Sequence, residues 1–425
     1  MKRRDFLTTS AKASVLFAAP VVLPRRVWGA NERIGLGYVG CKNRGGQNMN
    51  AFNGAGGVDH VAACDVDTQV LDEFAGKLKK RGVDKIANYG DYRELLDRSD
   101  VDAAVVSTPD HWHAIPTIEA CKAGKDVYCE KPLTLFPTEG EAMLAAAKES
   151  GRIVQTGSQQ RSGPEWRKAA EEIHNGTLGK ITRITVNLPR PNHPGPVGDS
   201  TQPPAHLDFE SWLGPAPMAE YHEKKVHYNF RFWWDYSGGQ MTNFGAHHLD
   251  CARWFLQVDD KMPTRSGGTA TLGLPIHEVT ETARLTQFYP DTPANPDGVE
   301  IIIGQQQEDI SGAVTVYGEK GVLRVNRGRL SVEPKDVFDA SFEKADVHKA
   351  HCAAFVAAVK NRTTPPADIA IGNASANACH LANLTARLGR DLVLEGGQLD
   401  AGRIPGDDEA NAILDRTYRD GYTLG

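Results

Sequence analysis

Residues 33–46 read RIGLGYVGCKNRGG, and the place where a phosphate-binding turn falls in this glycine-rich run decides the fold. A literal G-x-G-x-x-G match sits on Gly35, Gly37 and Gly40. It is a decoy, because such a turn works only after a strand and at the start of a helix whose free N–H groups bind the pyrophosphate. Five residues on, residues 34–39 form a short apolar strand, residues 40–45 the turn, and a helix is expected from about Gly46. Gly40 and Gly45 then keep the first and third glycine places. Lys42 takes the second, where glycine normally lets the backbone approach the pyrophosphate. Its ammonium can contact a phosphate instead, with Asn43 and Arg44 completing the candidate cofactor loop. A glycine-rich loop without a ligand is the competing reading of a lone motif.

Working outward, residues 58–66 (VDHVAACDV) read as a second buried strand running into Asp65 and Asp67. Asp65 lies about 20 residues past Gly45, the spacing at which a carboxylate meets the ribose hydroxyls of NAD and repels the extra phosphate of NADP. An aspartate there is also a common turn residue. Residues 68–81 and 92–97 have helical spacing. Residues 101–107 (VDAAVVS) form the continuous apolar run of a parallel strand buried on both faces. Ligands of open α/β sheets sit outside the carboxyl ends of the strands, so the following loop should face the cofactor, with Thr108, Pro109 and His113 as contacts. A helix over 115–123, a strand over 126–129 ending in Glu130-Lys131-Pro132, a helix over 141–150 and a strand over 153–157 complete a doubly wound parallel sheet.

Past about residue 180 the rhythm changes. Residues 181–188 alternate as a half-buried strand, 189–204 are a Pro/Gly/His-rich loop, and 301–306, 313–317 and 321–325 look like antiparallel strands. Helices over 348–360 and 375–388 are expected to return towards the first domain. The α/β chain thus divides into a Rossmann domain at 31–160 and a second domain at 161–425 with a mostly antiparallel sheet.

A length of 425 residues accommodates two domains. The net charge of −6 argues against nucleic acid or an anionic membrane surface as partner. Seven cysteines without C-x-x-C pairs give neither a zinc site nor a disulfide framework. Residues 1–30 carry two arginines, an apolar stretch and small residues at Gly29-Ala30, the pattern of a twin-arginine export signal and a periplasmic destination. The apolar stretch is too short to span a bilayer as a mature helix. Cleavage after Ala30 and retention as an anchor are both open.

With the nucleotide-binding half in place, Glu130-Lys131-Pro132 resembles the signature of the glucose-fructose oxidoreductase and inositol dehydrogenase (Gfo/Idh/MocA) family. Similar-looking segments run almost end to end: VAACDVD, STPDHWH, AGKDVYCEKPL, VQTGSQQRS, GGQMTNFGAHHLD and DDEANAILDRTYRDGY. The resemblance implies NAD, a sugar, cyclitol or glycoside substrate, and a homo-oligomer formed through an open second sheet, which makes 161–425 the substrate-binding and oligomerisation domain. Carried over to this sequence, it makes Lys131 the cofactor-side lysine near the reacting hydroxyl and His247 the acid/base histidine. Asn243 stands where the family usually has aspartate. A histidine with pKa near 6.5 is suited to take the hydroxyl proton, and a lysine to stabilise charge on the oxygen.

On a helix starting near Gly239, Asn243, His247 and Asp250 share one face. Adjacent His247 and His248 cannot both face the cleft, which also argues against a metal. Arg161, and Trp234 and Tyr236 within FRFWWDY (230–236), are candidate substrate contacts, although such an aromatic cluster is more often core. Three functions compete. One is a dehydrogenase that releases NADH. The second is a redox-neutral enzyme with retained cofactor, including an NAD-dependent glycoside hydrolase in which His247, Tyr236 or Tyr228 moves a second proton. The third is an inactive sugar-binding protein. Export favours the second, since no pool of free NAD is maintained outside the cytoplasm.

Overall fold

The computed structural model describes residues 32–415 and 417–424, so the export segment read at 1–30 lies outside the described residues. Among these residues no helix is long and apolar enough to cross a membrane.

The first sheet contains β1 (Ile34–Val39), β2 (Val58–Cys64), β3 (Ala87–Tyr89), β4 (Ala103–Val106), β5 (Asp126–Cys129) and β6 (Val154–Thr156). Its order is β3-β2-β1-β4-β5-β6 and every pairing is parallel. The order reverses between β1 and β4, which opens a crevice at their carboxyl ends. All six β1 residues and all four β4 residues are buried because helices cover both faces. Side chains alternate between two cores: Leu36, Tyr38, Ala103 and Val105 enter one, Val39, Ala104 and Val106 the other. Gly35 belongs to this packing, not to a turn, since a Cβ there would lie 1.9 Å from the Asp100 carbonyl.

The second sheet has eight strands: β7 (Ile181–Leu188), β8 (Arg265–Leu272), β9 (Thr280–Tyr289), β10 (Val299–Gln305), β11 (Val314–Gly318), β12 (Gly321–Asn326), β13 (Arg329–Glu333) and β14 (Leu392–Val393). The order is β13-β12-β11-β7-β10-β9-β8-β14, and antiparallel pairs dominate. β10 pairs antiparallel with β9, as expected for 301–306, and parallel with β7 on its other edge.

The two halves share cores. The helix Val347–Asn361 inserts Cys352, Phe355, Val356 and Val359 beside β1 and β4, and Phe355 meets Phe52 edge-on at 5.9 Å. The helix Ile369–Leu388 contributes Ile369 and Ala376 to the opposite core and Ala378, Cys379 and Ala382 to that of the second sheet. All seven cysteines are buried and unpaired.

Candidate active site

A cleft of about 720 Å3 opens where β1 and β4 diverge. At its dinucleotide end, Gly40 has φ +86°, and a Cβ there would lie 2.7 Å from the Ser107 and Thr108 backbone. A Cβ on Gly45 would come within 2.1 Å of the Gly40 carbonyl oxygen. The helix begins at Asn43, three residues earlier than the sequence reading placed it. Gly46 N–H bonds the Lys42 carbonyl at 2.8 Å and closes the first helical turn, so Asn43, Arg44 and Gly45 belong to that turn. Lys42 is the N-cap at φ −70°, a conformation open to any residue, which is why the backbone tolerates lysine in place of glycine.

The Asp65 carboxylate accepts from the N–H of Cys41 at 2.8 Å and of Asp67 at 3.0 Å. Burial pushes its pKa up to about 6 against those donors. Thr108 Oγ1 is buried with no partner among the described residues. A glycine cradle, a helix N-terminus, a strand-end carboxylate and an orphaned hydroxyl together fit the pyrophosphate and ribose of a dinucleotide. Pro109 lines the same cleft. Both ring nitrogens of His113 face carbonyls, of Pro132 at 2.7 Å and Thr108 at 3.0 Å, so this residue braces two cleft loops against each other.

At the other end, Glu130 is buried among Arg44 (3.1 Å), Asn48 (3.1 Å) and Gln159 (3.3 Å). Burial alone would raise its carboxyl; Arg44 and Lys131 outweigh it and hold the pKa below the usual value. Lys131 Nζ donates to Asn243 Oδ1 at 2.7 Å and to the Asn243 carbonyl at 3.2 Å. Burial lowers its pKa to about 8, although Glu130 and Asp110 favour the charge. His247 faces the cleft, and burial, then Lys131 and Arg327, push its pKa well below 6.5. The ring is therefore neutral at pH 7, and its Nδ1 is buried without a partner among the described residues.

Several expected contacts lie elsewhere. Arg161 is sealed in an ion-pair cluster, donating to Asp250 at 2.8 and 2.9 Å and to Asp259 at 2.6 Å, and it does not line the cleft. Asp250 is thereby spent on Arg161 and Ser375 (2.6 Å) and does not orient His247. The expected single helix is two, Gly239–Asn243 and Gly245–Phe255. The break at Phe244 still brings Asn243 and His247 to one cleft. His248 turns away, bonding the Asn187 carbonyl at 2.8 Å.

The aromatic run is mostly core. A 3-10 segment over His227–Phe232 turns Phe230 and Arg231 to the cleft and Phe232 inward. Tyr236 is 3% exposed, packed on Trp212 and His111 with ring centroids 5.0 and 5.2 Å away. Trp234 lies under Arg387 at 4.8 Å, beside a small separate cavity. Tyr228 does line the cleft. Among the described residues no group of three or more His, Cys, Asp or Glu is placed to hold a metal ion.

The sequence reading passed over two features. Asp67 bonds His206 Nδ1 at 2.9 Å and His227 Nε2 at 3.1 Å, pinning the long loop of the second domain to the first. Arg327, at the turn between β12 and β13, reaches the cleft mouth. Neither carries a local signal: Asp67 meets His206 and His227, and Arg327 meets the Phe244 ring at 5.7 Å, each far away in the sequence.

Comparisons with known proteins agree with this fold. Residues 34–158 match the model for the NAD-binding Rossmann fold of the GFO_IDH_MocA oxidoreductase family, and residues 197–424 the model for its C-terminal alpha/beta domain. A glycosyl hydrolase family 109 protein of Shewanella pealeana is 29% identical over 154 residues, 35% of this chain and 34% of that protein. Myo-inositol 2-dehydrogenase of Thermotoga maritima is 34% identical over 160 residues, 37% of this chain and 45% of that protein. The chain thus spans less than half the length of these curated relatives. The WlbA dehydrogenase of Bordetella pertussis, solved with NADH and UDP-GlcNAcA, superposes with a TM-score of 0.65 at 20% identity, covering 87% of this chain and 100% of that one. That likeness is one of fold. With an NAD-binding Rossmann domain and the family's second domain both matched, the chain belongs to the Gfo/Idh/MocA oxidoreductase family.

Proposed function

We propose that the protein is an NAD-dependent oxidoreductase that oxidises a secondary hydroxyl of a sugar, cyclitol or glycoside. The observation that carries this reading is the Lys131–Asn243 contact at 2.7 Å beside His247, in the cleft whose far end is the dinucleotide turn. Bound NAD supplies the acceptor for the hydride leaving the carbinol carbon. His247, neutral at pH 7, takes the hydroxyl proton. Lys131 donates a hydrogen bond to the same oxygen and stabilises negative charge as it develops. Asn243 holds the ammonium in place through its amide oxygen and leaves it without a carboxylate partner at that position.

The twin-arginine pattern at 1–30 supports export, and likeness to a glycosyl hydrolase family 109 protein favours a second reading, in which the hydride returns within each cycle and a glycosidic bond is cleaved. The homo-oligomer stands as a proposal on the family resemblance, tested by sedimentation.

The experiment uses protein purified without added nucleotide. Denaturation and chromatography identify any released dinucleotide, and sugars and aryl glycosides are then supplied with and without NAD. Sugar-dependent NAD reduction supports the dehydrogenase, and glycoside cleavage on retained NAD the redox-neutral cycle. NAD binding with no turnover of either substrate class refutes both and leaves a sugar-binding protein.

A further inference from the structure

Charge around the reacting end of the cleft is lopsided. Lys131, Arg231 and Arg327 all line it, and the oxidised nicotinamide ring brings a further positive charge. Of the carboxylates there, Glu130 is matched by Arg44 at 3.1 Å. Asp110 is buried, bonded by Ser237, and is the one carboxylate that favours the charge on both Lys131 and Arg231. A cation desolvated without a partner is costly, so such surplus is stable only where a ligand supplies the counter-charge.

Arg231 is shaped for that task. Its guanidinium stacks over the Tyr228 ring at 3.9 Å and approaches the Phe230 ring at 5.1 Å. Nη1 donates to the Tyr228 carbonyl, which fixes the plane. Nε is buried with no hydrogen-bond partner among the described residues. A guanidinium held in one plane is a fork that grips a carboxylate through two parallel hydrogen bonds. The shelf is held in position one residue upstream of Tyr228, where His227 adopts a left-handed φ of +50° and bonds Asp67. Arg327, exposed at the mouth with its guanidinium 5.7 Å from the Phe244 ring, adds attraction at longer range.

We propose that the substrate is an acidic sugar, a hexuronic acid or its glycoside, whose carboxylate docks on the Arg231 guanidinium while its hydroxyl meets Lys131 and His247. This rests on the oxidoreductase reading of the cleft and names its substrate class. The fork takes one carboxylate through parallel hydrogen bonds.

The test is equilibrium binding to the NAD-loaded protein of paired probes, glucuronate against glucose and galacturonate against galactose, with NAD reduction followed separately. The acid of at least one pair should bind at least tenfold more tightly than its neutral parent. Arg231→Gln should collapse that ratio towards one, Arg231→Lys should restore only part of it, and added salt should weaken acid binding more than neutral binding. A panel in which no acid outbinds its parent, or a preference that survives Arg231→Gln, overturns the proposal. NAD reduction by neutral sugars alone overturns it while leaving the oxidoreductase reading intact. Preferential acid binding without NAD reduction supports the carboxylate site and counts against the redox reading.

Discussion

Replacing Asn243 by aspartate sets a carboxylate against the Lys131 ammonium, now 2.7 Å from the amide oxygen. At an effective dielectric of about 20, Coulomb's law gives roughly 6 kcal/mol of attraction at that separation. Desolvation of the new carboxylate offsets much of this, and an opposite charge so close typically moves a pKa by about 1–3 units, or ~1.4–4 kcal/mol. Burial sets the Lys131 pKa at about 8. With Lys131 in its proposed role of protonated donor, wild-type kcat/KM is expected to fall as pH rises through 8 and to be down about tenfold at pH 9 from ionisation alone. In Asn243→Asp the ammonium persists, so the alkaline limb moves to about pH 9–11. The same negative charge raises His247, so the acid limb moves up as well. The assay is the pH dependence of kcat/KM for both proteins on one substrate. An alkaline limb that stays in place in the variant refutes the assignment of that limb to Lys131.

Arg161→Met leaves Asp250 buried with Ser375 as its remaining hydrogen-bond donor, costing about 3–5 kcal/mol in denaturant unfolding, while Arg161→Met/Asp250→Leu recovers most of the loss. Unchanged stability of the single variant contradicts a structural role for this pair. Gly45→Ala drives a Cβ towards the Gly40 carbonyl and weakens NAD by at least ~10-fold, about 1.4 kcal/mol, as read by calorimetric titration. Since Asp65 has a pKa near 6, its charge is present above pH 6 and lost below it, so wild-type NAD affinity falls as pH drops through 6. Asp65→Asn removes that step, and a step that survives assigns the titration to another group.

The parts of this fold that a sequence shows are those set by local pattern. The runs over β1, β5 and β7 are apolar or alternating over four to eight residues, and the structure places strands on those segments. The turn is placed by a strand ending at Val39, and one closing hydrogen bond decides which residues belong to the loop and which to the helix. β8 escapes because RSGGTATL carries two glycines and little apolar surface; it is a strand through its pairing with β9. β3, three residues long, has no room for a period.

The site divides in the same way. Lys131 and Asn243 sit on recognisable motifs, but their contact spans 112 residues. Arg161 looked available to a substrate because its partners are 89 and 98 residues away. Tyr236 reads as a cleft aromatic until the 3-10 turns before it send it into the core. Burial and ion pairing at that range have no local signature.

The account turns on Lys131 and His247 acting on the carbinol oxygen, and pre-steady-state reduction of bound NAD tests this most directly. The wild type, Lys131→Met and His247→Ala, each loaded with NAD, are mixed with saturating substrate and reduced nicotinamide is followed through a single turnover. The account predicts rates at least ~100-fold slower in both variants, with NAD affinity retained. Near-normal reduction in either variant would contradict it.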